Sequence, residues 1–190
     1  MFVEDDDIVI RTFGLAEDSI VDGPGLRFCV YVQGCSHRCP GCHNPKSQPV
    51  SGGKEYTVSE LYNRCVSNKL TSGVTFSGGE PFEQAAGCIA LAKKIRACAN
   101  HSYNIWIYSG YTYEALVSGE TPAGLLAGDL LELCDVLVDG RFEMSLHKYD
   151  LKWKGSSNQR VIDLNKTRDV EKGIVLWSKE DVFPEPPESW

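Results

Sequence analysis

The chain has 190 residues, of which 42% are hydrophobic and 24% charged, proportions that indicate a globular protein rather than a disordered or fibrous one. A net charge of -7 at pH 7 argues against a broad nucleic-acid-binding surface, which needs clustered Lys and Arg. The acidic start lacks the pattern of a secretory signal, and no apolar run approaches the roughly 20 residues of a membrane span. We therefore expect a cytoplasmic protein without membrane or nucleic-acid partners. Residues 1–190 should form one domain, with a loosely ordered tail from about residue 178.

Strands and helices are predicted to alternate along the chain. Short runs of apolar and β-branched residues are typical of strands buried on both faces, and apolar residues at helical spacing lie between them. In chain order we expect a strand at 27–34, a helix at 57–65, a strand at 74–76, a helix at 81–98, a strand at 105–108, a helix beginning at Pro122 and a strand at 136–138.

Local signals support two of these helix starts. Thr57 and Glu60 have the spacing of a capping box, in which each residue satisfies a backbone N–H of the other. Thr121 followed by Pro122 is typical of an N-cap with proline at the first helical position.

The alternation of strands and helices predicts an α/β fold built from βαβ units. A complete barrel of eight such units usually needs about 250 residues. A chain of 190 residues therefore predicts an incomplete β/α barrel of parallel strands with outer helices.

Each predicted strand is followed by a turn rich in glycine or polar residues. Because the carboxyl ends of parallel strands meet at one edge of a sheet, these turns should lie together and form the active site. The turns are Gly34–Cys35, Ser77–Glu80, Ser109–Tyr111 and Asp139–Gly140.

The eight cysteines divide into two groups. Five lie among apolar neighbours and are interpreted as small buried hydrophobic residues. Three others, Cys35, Cys39 and Cys42, fall within one short loop. Three thiolates can hold three irons of a [4Fe-4S] cluster and leave the fourth iron open, whereas a structural zinc site completed by His43 is the alternative. The remaining cysteines are Cys29, Cys65, Cys88, Cys98 and Cys134.

The C-x3-C-x2-C loop after the first strand and the Gly-Gly-Glu turn after the second resemble the radical S-adenosylmethionine superfamily. The segment Val21–Gly25 resembles the one that precedes the first strand in activating enzymes for glycyl radical proteins. The segments Trp106–Tyr111, Val136–Phe142 and Trp153–Gln159 resemble the branch that activates anaerobic ribonucleoside-triphosphate reductase. The resemblance extends from about Ile20 to Arg160 and covers most of the chain.

This resemblance implies a role for individual residues. Cys35, Cys39 and Cys42 would ligate three irons of the cluster, and S-adenosylmethionine would chelate the fourth. Glu80 would offer a carboxylate to the methionine ammonium, and the backbone of His43 would meet the adenine. The residues implied near the cofactor are His43, Gly78, Gly79, Glu80, Tyr111, Asp139 and Asn158.

The resemblance also implies the reaction and its partners. The reduced cluster would cleave S-adenosylmethionine to a 5'-deoxyadenosyl radical, which would take a hydrogen atom from a glycine of the reductase. A flavodoxin- or ferredoxin-like protein would donate the electron. A pyruvate formate-lyase activating enzyme and a non-enzymatic iron–sulfur carrier remain alternatives at this point. His37, His101 and His147 are predicted to be surface residues.

Overall fold

The computed structural model of the protein describes residues 8–98, 102–171 and 173–178, so His101 and the expected loose tail beyond residue 178 lie outside the described residues. Seven strands within the described part form one mixed sheet that is not closed, in the order β3-β1-β2-β4-β5-β6-β7. The strands are β1 (Val9–Ser19), β2 (Arg27–Val32), β3 (Lys54–Thr57), β4 (Gly73–Gly78), β5 (Asn104–Tyr108), β6 (Val136–Asp139) and β7 (Arg160–Asp163). The α-helices are α1 (Val58–Ser67), α2 (Ala85–Arg96), α3 (Tyr113–Val117), α4 (Leu126–Glu132) and α5 (Leu164–Asp169).

The four strands predicted from apolar runs are confirmed as β2, β4, β5 and β6, with bounds that agree within two residues. They are neighbours in the sheet and run parallel to one another. All four residues of β6 are buried, as expected for a strand covered on both faces.

The prediction of a sheet made only of parallel strands was wrong for β1, β3 and β7, which are antiparallel to their neighbours. β3 and β7 are edge strands of four residues each, and both are partly exposed. β1 is longer but buries few of its side chains. Strands of this kind need no continuous apolar run, so the pattern that located the parallel strands could not detect them.

The helices agree with the predictions in part. The capping box of α1 is confirmed, since Thr57 Oγ1 accepts from the Glu60 N–H at 3.1 Å and Glu60 Oε2 accepts from the Thr57 N–H at 2.8 Å. The second helix begins at Ala85, after a short 3-10 helix. The third predicted helix is α4, which begins at Leu126 and not at Pro122, because Thr121 opens a hydrogen-bonded turn that ends at Gly124. No helix in the described part of the chain has the length and hydropathy of a membrane span.

The two faces of the sheet bury different side chains. The main core lies on the face covered by α1, α2 and α4, and it includes Ile105 and Ile107 of β5. Trp106 points to the opposite face, where it packs with Trp153 and Trp177 at ring-centroid distances of 5.5 and 5.4 Å. The parallel strands therefore present a second, smaller core on the face that leads to the site.

Candidate cluster and cofactor site

A cavity of about 370 Å³ lies at the carboxyl ends of β2, β4, β5 and β6. Its lining contains residues from all four turns that the sequence placed at this edge, confirming that these turns meet. One residue from each is Cys35, Gly79, Ser109 and Gly140. We refer to this space as the cysteine cavity.

All three cysteines of the loop, Cys35, Cys39 and Cys42, line the cysteine cavity as free, partly exposed thiols. Within the described ranges, no three His, Cys, Asp or Glu side chains are arranged to hold a single metal ion. Three thiols that line one cavity can each bind a different iron of a cubane cluster. The donor set is therefore that of an iron–sulfur cluster.

Burial, with a smaller contribution from the charges of Glu80 and Glu83, raises the pKa of the Cys35 thiol to about 11. A metal ligand must be a thiolate, so this proton has to leave when iron binds. The positive charge of iron favours that loss. Four of the other five cysteines, Cys29, Cys65, Cys88 and Cys134, are buried, which confirms their interpretation, whereas Cys98 is partly exposed.

The cysteine loop is fastened at its start to the segment that follows it. The Gly34 N–H donates to the carbonyl of Ser47 at 2.7 Å, and the Cys35 N–H donates to the carbonyl of Gln48 at 2.9 Å. The Ser36 N–H donates to Glu83 Oε1 at 2.9 Å. The first two bonds hold the loop to the segment that follows it, and the third joins it to the short 3-10 helix Pro81–Gln84 after the Gly-Gly-Glu turn.

The glycines of that turn are required by a close approach of two backbones. Gly78 has a φ of +91°, and a Cβ there would lie 2.6 Å from the Cα of Tyr31. A Cβ at Gly79 would collide with the carbonyl oxygen of Gly34. The Glu80 N–H donates to the same Gly34 carbonyl at 2.8 Å. The turn therefore packs directly against the residue that precedes Cys35.

The carboxylate of Glu80 is buried at the back of the cysteine cavity and connects three of the turns. Its two oxygens accept four hydrogen bonds from protein groups, which fills the usual acceptor capacity of a carboxylate. The donors are Phe82 N–H at 3.2 Å, Ser109 Oγ at 3.0 Å, Gly110 N–H at 2.8 Å and His37 Nε2 at 3.0 Å.

The other predicted site residues fall into two places. His43 lines the cysteine cavity, with its ring 4.9 Å from that of Phe142. Tyr111, Asp139 and Asn158 instead line a neighbouring cavity of about 640 Å³. The two cavities share His37, Gly110 and Gly140 in their linings.

Two of these three residues are engaged with the protein itself. Asp139 is buried and accepts from the Tyr113 N–H at 2.8 Å and from Arg160 Nε at 2.9 Å. Asn158 Nδ2 donates to the carbonyl of Arg141 at 2.8 Å. These three contacts support the loops after β5 and β6.

Sequence reasoning missed several residues of the cysteine cavity. The prediction that His37 is a surface residue was wrong, since its side chain is only 4% exposed. Asp22 and Tyr108 also line the cavity. The period-two alternation of a strand could have located Tyr108, because it lies on the same face as Trp106.

Comparison with known proteins agrees with this geometry. Residues 21–162 match a family model described as a 4Fe-4S single cluster domain. The chain is 34% identical, over 149 residues, to the anaerobic ribonucleoside-triphosphate reductase-activating protein of Escherichia coli strain K12, covering 75% of this chain and 91% of that protein. This chain belongs to the family of anaerobic ribonucleoside-triphosphate reductase-activating proteins.

Other members of the activating-protein family are similarly related. The protein of Salmonella typhimurium is 33% identical over 150 residues, covering 75% of this chain and 91% of its own length. That of Enterobacteria phage T4 is 31% identical over 149 residues, covering 74% and 86%. As a member of this family the chain is an activating enzyme, and the predicted [4Fe-4S] cluster and S-adenosylmethionine cosubstrate are confirmed at the level of the family. Membership argues against an electron carrier or a structural zinc protein.

Proposed function

We propose that this chain installs a glycyl radical on an anaerobic ribonucleoside-triphosphate reductase. The observation that supports this most strongly is that three free cysteines and the Gly-Gly-Glu turn line one cavity in a chain of the activating family. When bound and reduced, the cluster supplies one electron that cleaves S-adenosylmethionine into methionine and a 5'-deoxyadenosyl radical, which takes a hydrogen atom from a glycine of the reductase.

In this proposal the protein's own residues bind and orient the cluster and S-adenosylmethionine. Cys35, Cys39 and Cys42 hold three irons and leave the fourth to the amino and carboxylate groups of the cosubstrate. The backbone of Gly78 and Gly79, which lines the cavity, borders the methionine end. Their missing side chains let this turn pack against Tyr31 and Gly34 and so hold its place beside the cysteine loop. The backbone of His43, which follows Cys42 and lines the same cavity, is the group that we assign to the adenine.

The open sheet supports a partial barrel of the radical S-adenosylmethionine type in a single domain. Its strands enclose the cysteine cavity from one side only, and the loop Trp153–Gln159 contributes part of another wall. Val21, at the mouth of the same cavity, is 73% exposed. A wall that is incomplete and partly apolar suits the entry of an extended peptide segment that carries the target glycine.

The remaining partners follow from the chemistry. Reduction of the cluster requires a one-electron donor of low potential, and we propose a flavodoxin- or ferredoxin-like protein of the cytoplasm. The alternative target, pyruvate formate-lyase, uses the same chemistry on a different protein, so the reductase named for the relatives is the one to test first.

The test mixes the reduced protein and S-adenosylmethionine anaerobically with the reductase and, in a parallel sample, with pyruvate formate-lyase from the same cell. Electron paramagnetic resonance should detect a glycyl radical on the reductase and none when S-adenosylmethionine is omitted. Cys39→Ala serves as the control that lacks one iron ligand. A radical on the lyase and none on the reductase would overturn the target, and no radical on either would overturn the activity.

A further inference from the structure

His37 occupies an unusual place for a residue between two cluster ligands. Its imidazole is 4% exposed, with Nε2 3.0 Å from Glu80 Oε2 and Nδ1 3.2 Å from Arg141 Nε. The ring of Tyr111 lies edge-on to it at a centroid distance of 4.3 Å. His37 therefore connects the cysteine loop to the turns after β4, β5 and β6.

The two hydrogen bonds determine the tautomer of the ring. The guanidinium of Arg141 can only donate, so Nδ1 of His37 must carry the lone pair. The carboxylate of Glu80 accepts, so Nε2 carries the hydrogen. His37 thus accepts a hydrogen bond from Arg141 and donates one to Glu80, so the imidazole links these two side chains.

The surrounding backbone fits this ring closely. A Cβ at Gly110 would collide with the imidazole of His37, so a glycine is needed there. The Gly110 N–H donates to the same Oε2 of Glu80 that accepts from His37. The imidazole of His37 and the Gly110 N–H therefore both donate to Oε2 of Glu80. The Ser109 hydroxyl and the Phe82 N–H both donate to Oε1.

We propose that His37 is a positioning residue, which through Glu80 fixes the Gly-Gly-Glu turn relative to the cysteine loop at the distance that cosubstrate binding requires. The inference rests on the proposed function, since it assumes that this turn meets S-adenosylmethionine. It also changes the expected role of Glu80. All acceptor sites of this carboxylate have protein donors, so Glu80 holds the turn in place rather than offering a free oxygen to the methionine ammonium.

Two isosteric variants separate the two bonds of His37. The amide nitrogen of glutamine reaches the position of Nε2, so His37→Gln keeps the bond to Glu80. The shorter asparagine reaches only the position of Nδ1, so His37→Asn loses that bond. We expect His37→Gln to bind S-adenosylmethionine within about threefold of the wild type, and His37→Asn to bind about tenfold more weakly, since a lost hydrogen bond to a charged group has an effect of this order.

The measurements are iron content, equilibrium dialysis with labelled S-adenosylmethionine, and the change in the electron paramagnetic resonance spectrum of the reduced cluster when the cosubstrate is added. Iron should be the same in both variants. Arg38→Gln is the control, because Arg38 is an exposed residue of the same loop with no side-chain hydrogen bond or ion pair in the described part of the chain. Equal affinity of the two His37 variants, or loss of iron from His37→Asn alone, would overturn the proposal.

A readout in the metal-free protein is independent of the proposed function. Hydrogen exchange at the Gly110 amide reports whether Glu80 still accepts from it. We expect faster exchange in His37→Asn than in His37→Gln, and equal exchange would contradict the positioning role. If the wild type binds no S-adenosylmethionine, the proposed function fails while the exchange result still decides the role of His37.

Discussion

Arg160 donates from Nε to Oδ1 of Asp139 at 2.9 Å, directly across the antiparallel pair β6–β7. Asp139 is 1% exposed, and its other oxygen accepts from the Tyr113 N–H and from Arg160 Nη2. The same guanidinium also pairs with the exposed Glu114. The aspartate at the end of β6 is thus held by an edge strand, which anchors the loops beside the site.

Arg160→Met should destabilise the protein markedly, because it leaves the buried carboxylate of Asp139 without its cation. Loss of one partner of a buried pair costs about 3–5 kcal/mol, and the partial exposure of Arg160 places the expected value near the lower end. Urea denaturation measures the change in the free energy of unfolding. Glu114→Gln removes only the exposed partner of Arg160 and is the matched control, expected to cost about 1 kcal/mol or less. Equal losses in the two variants would contradict this assignment.

Glu114 should contribute to the acid sensitivity of the protein. Its hydrogen bonds from Arg160 lower the pKa of the Glu114 carboxyl from 4.5 to about 2. A carboxyl with a lowered folded-state pKa stabilises the folded state above its ordinary pKa, and that contribution is lost as the pH falls toward 2. The stability difference between wild type and Glu114→Gln should therefore shrink between about pH 5 and pH 2, as followed by thermal denaturation. Glu120→Gln, at another exposed position, is the matched control.

The cysteines should separate into ligands and packing residues. Substitution of Cys35, Cys39 or Cys42 by Ala should lower the iron content and abolish cleavage of S-adenosylmethionine, because each thiolate is expected to hold a different iron. Cys88→Ala should keep both and lose only about 1–3 kcal/mol of stability, because Cys88 is fully buried in the main core. Iron analysis and product chromatography decide between the two groups. Loss of iron in Cys88→Ala would contradict the division of the cysteines into iron ligands and packing residues.

Gly79→Ala should disturb the site through the backbone. The added Cβ would collide with the carbonyl oxygen of Gly34 and would lie 2.9 Å from that of Val32, so the turn must move away from the cysteine loop. We expect a loss of about 1–3 kcal/mol in unfolding free energy, with weaker binding of S-adenosylmethionine. Gly128→Ala in α4 is the control, because its Cβ would meet open space, and it should stabilise the protein by up to about 1 kcal/mol. A Gly79→Ala protein as stable as the wild type would show that the turn has room.

Much of the candidate site could be read from local patterns. The cysteine loop, with Cys35, Cys39 and Cys42, follows one buried strand, and the Gly-Gly-Glu turn follows the next. Parallel strands bring their carboxyl ends together, so the two features lie at the same edge of the sheet. The sequence placed Gly79 near the cofactor but did not show which group its missing side chain makes room for. It faces the backbone of the cysteine loop, and only the packed structure brings Gly34 and Gly79 into contact.

The four parallel strands, the cysteine loop and the family resemblance could be recognised from the amino-acid sequence, because they depend on residues close together in the chain. Only the folded structure revealed the antiparallel strands β1, β3 and β7, because they pair through backbone hydrogen bonds that need no apolar pattern. It also decided that His37 is buried and that Asp139 faces Arg160 rather than the cysteine cavity. The residues next to a polar side chain in the sequence do not identify its hydrogen-bond partner. The distance between the two partners is set by the packing of segments far apart in the chain.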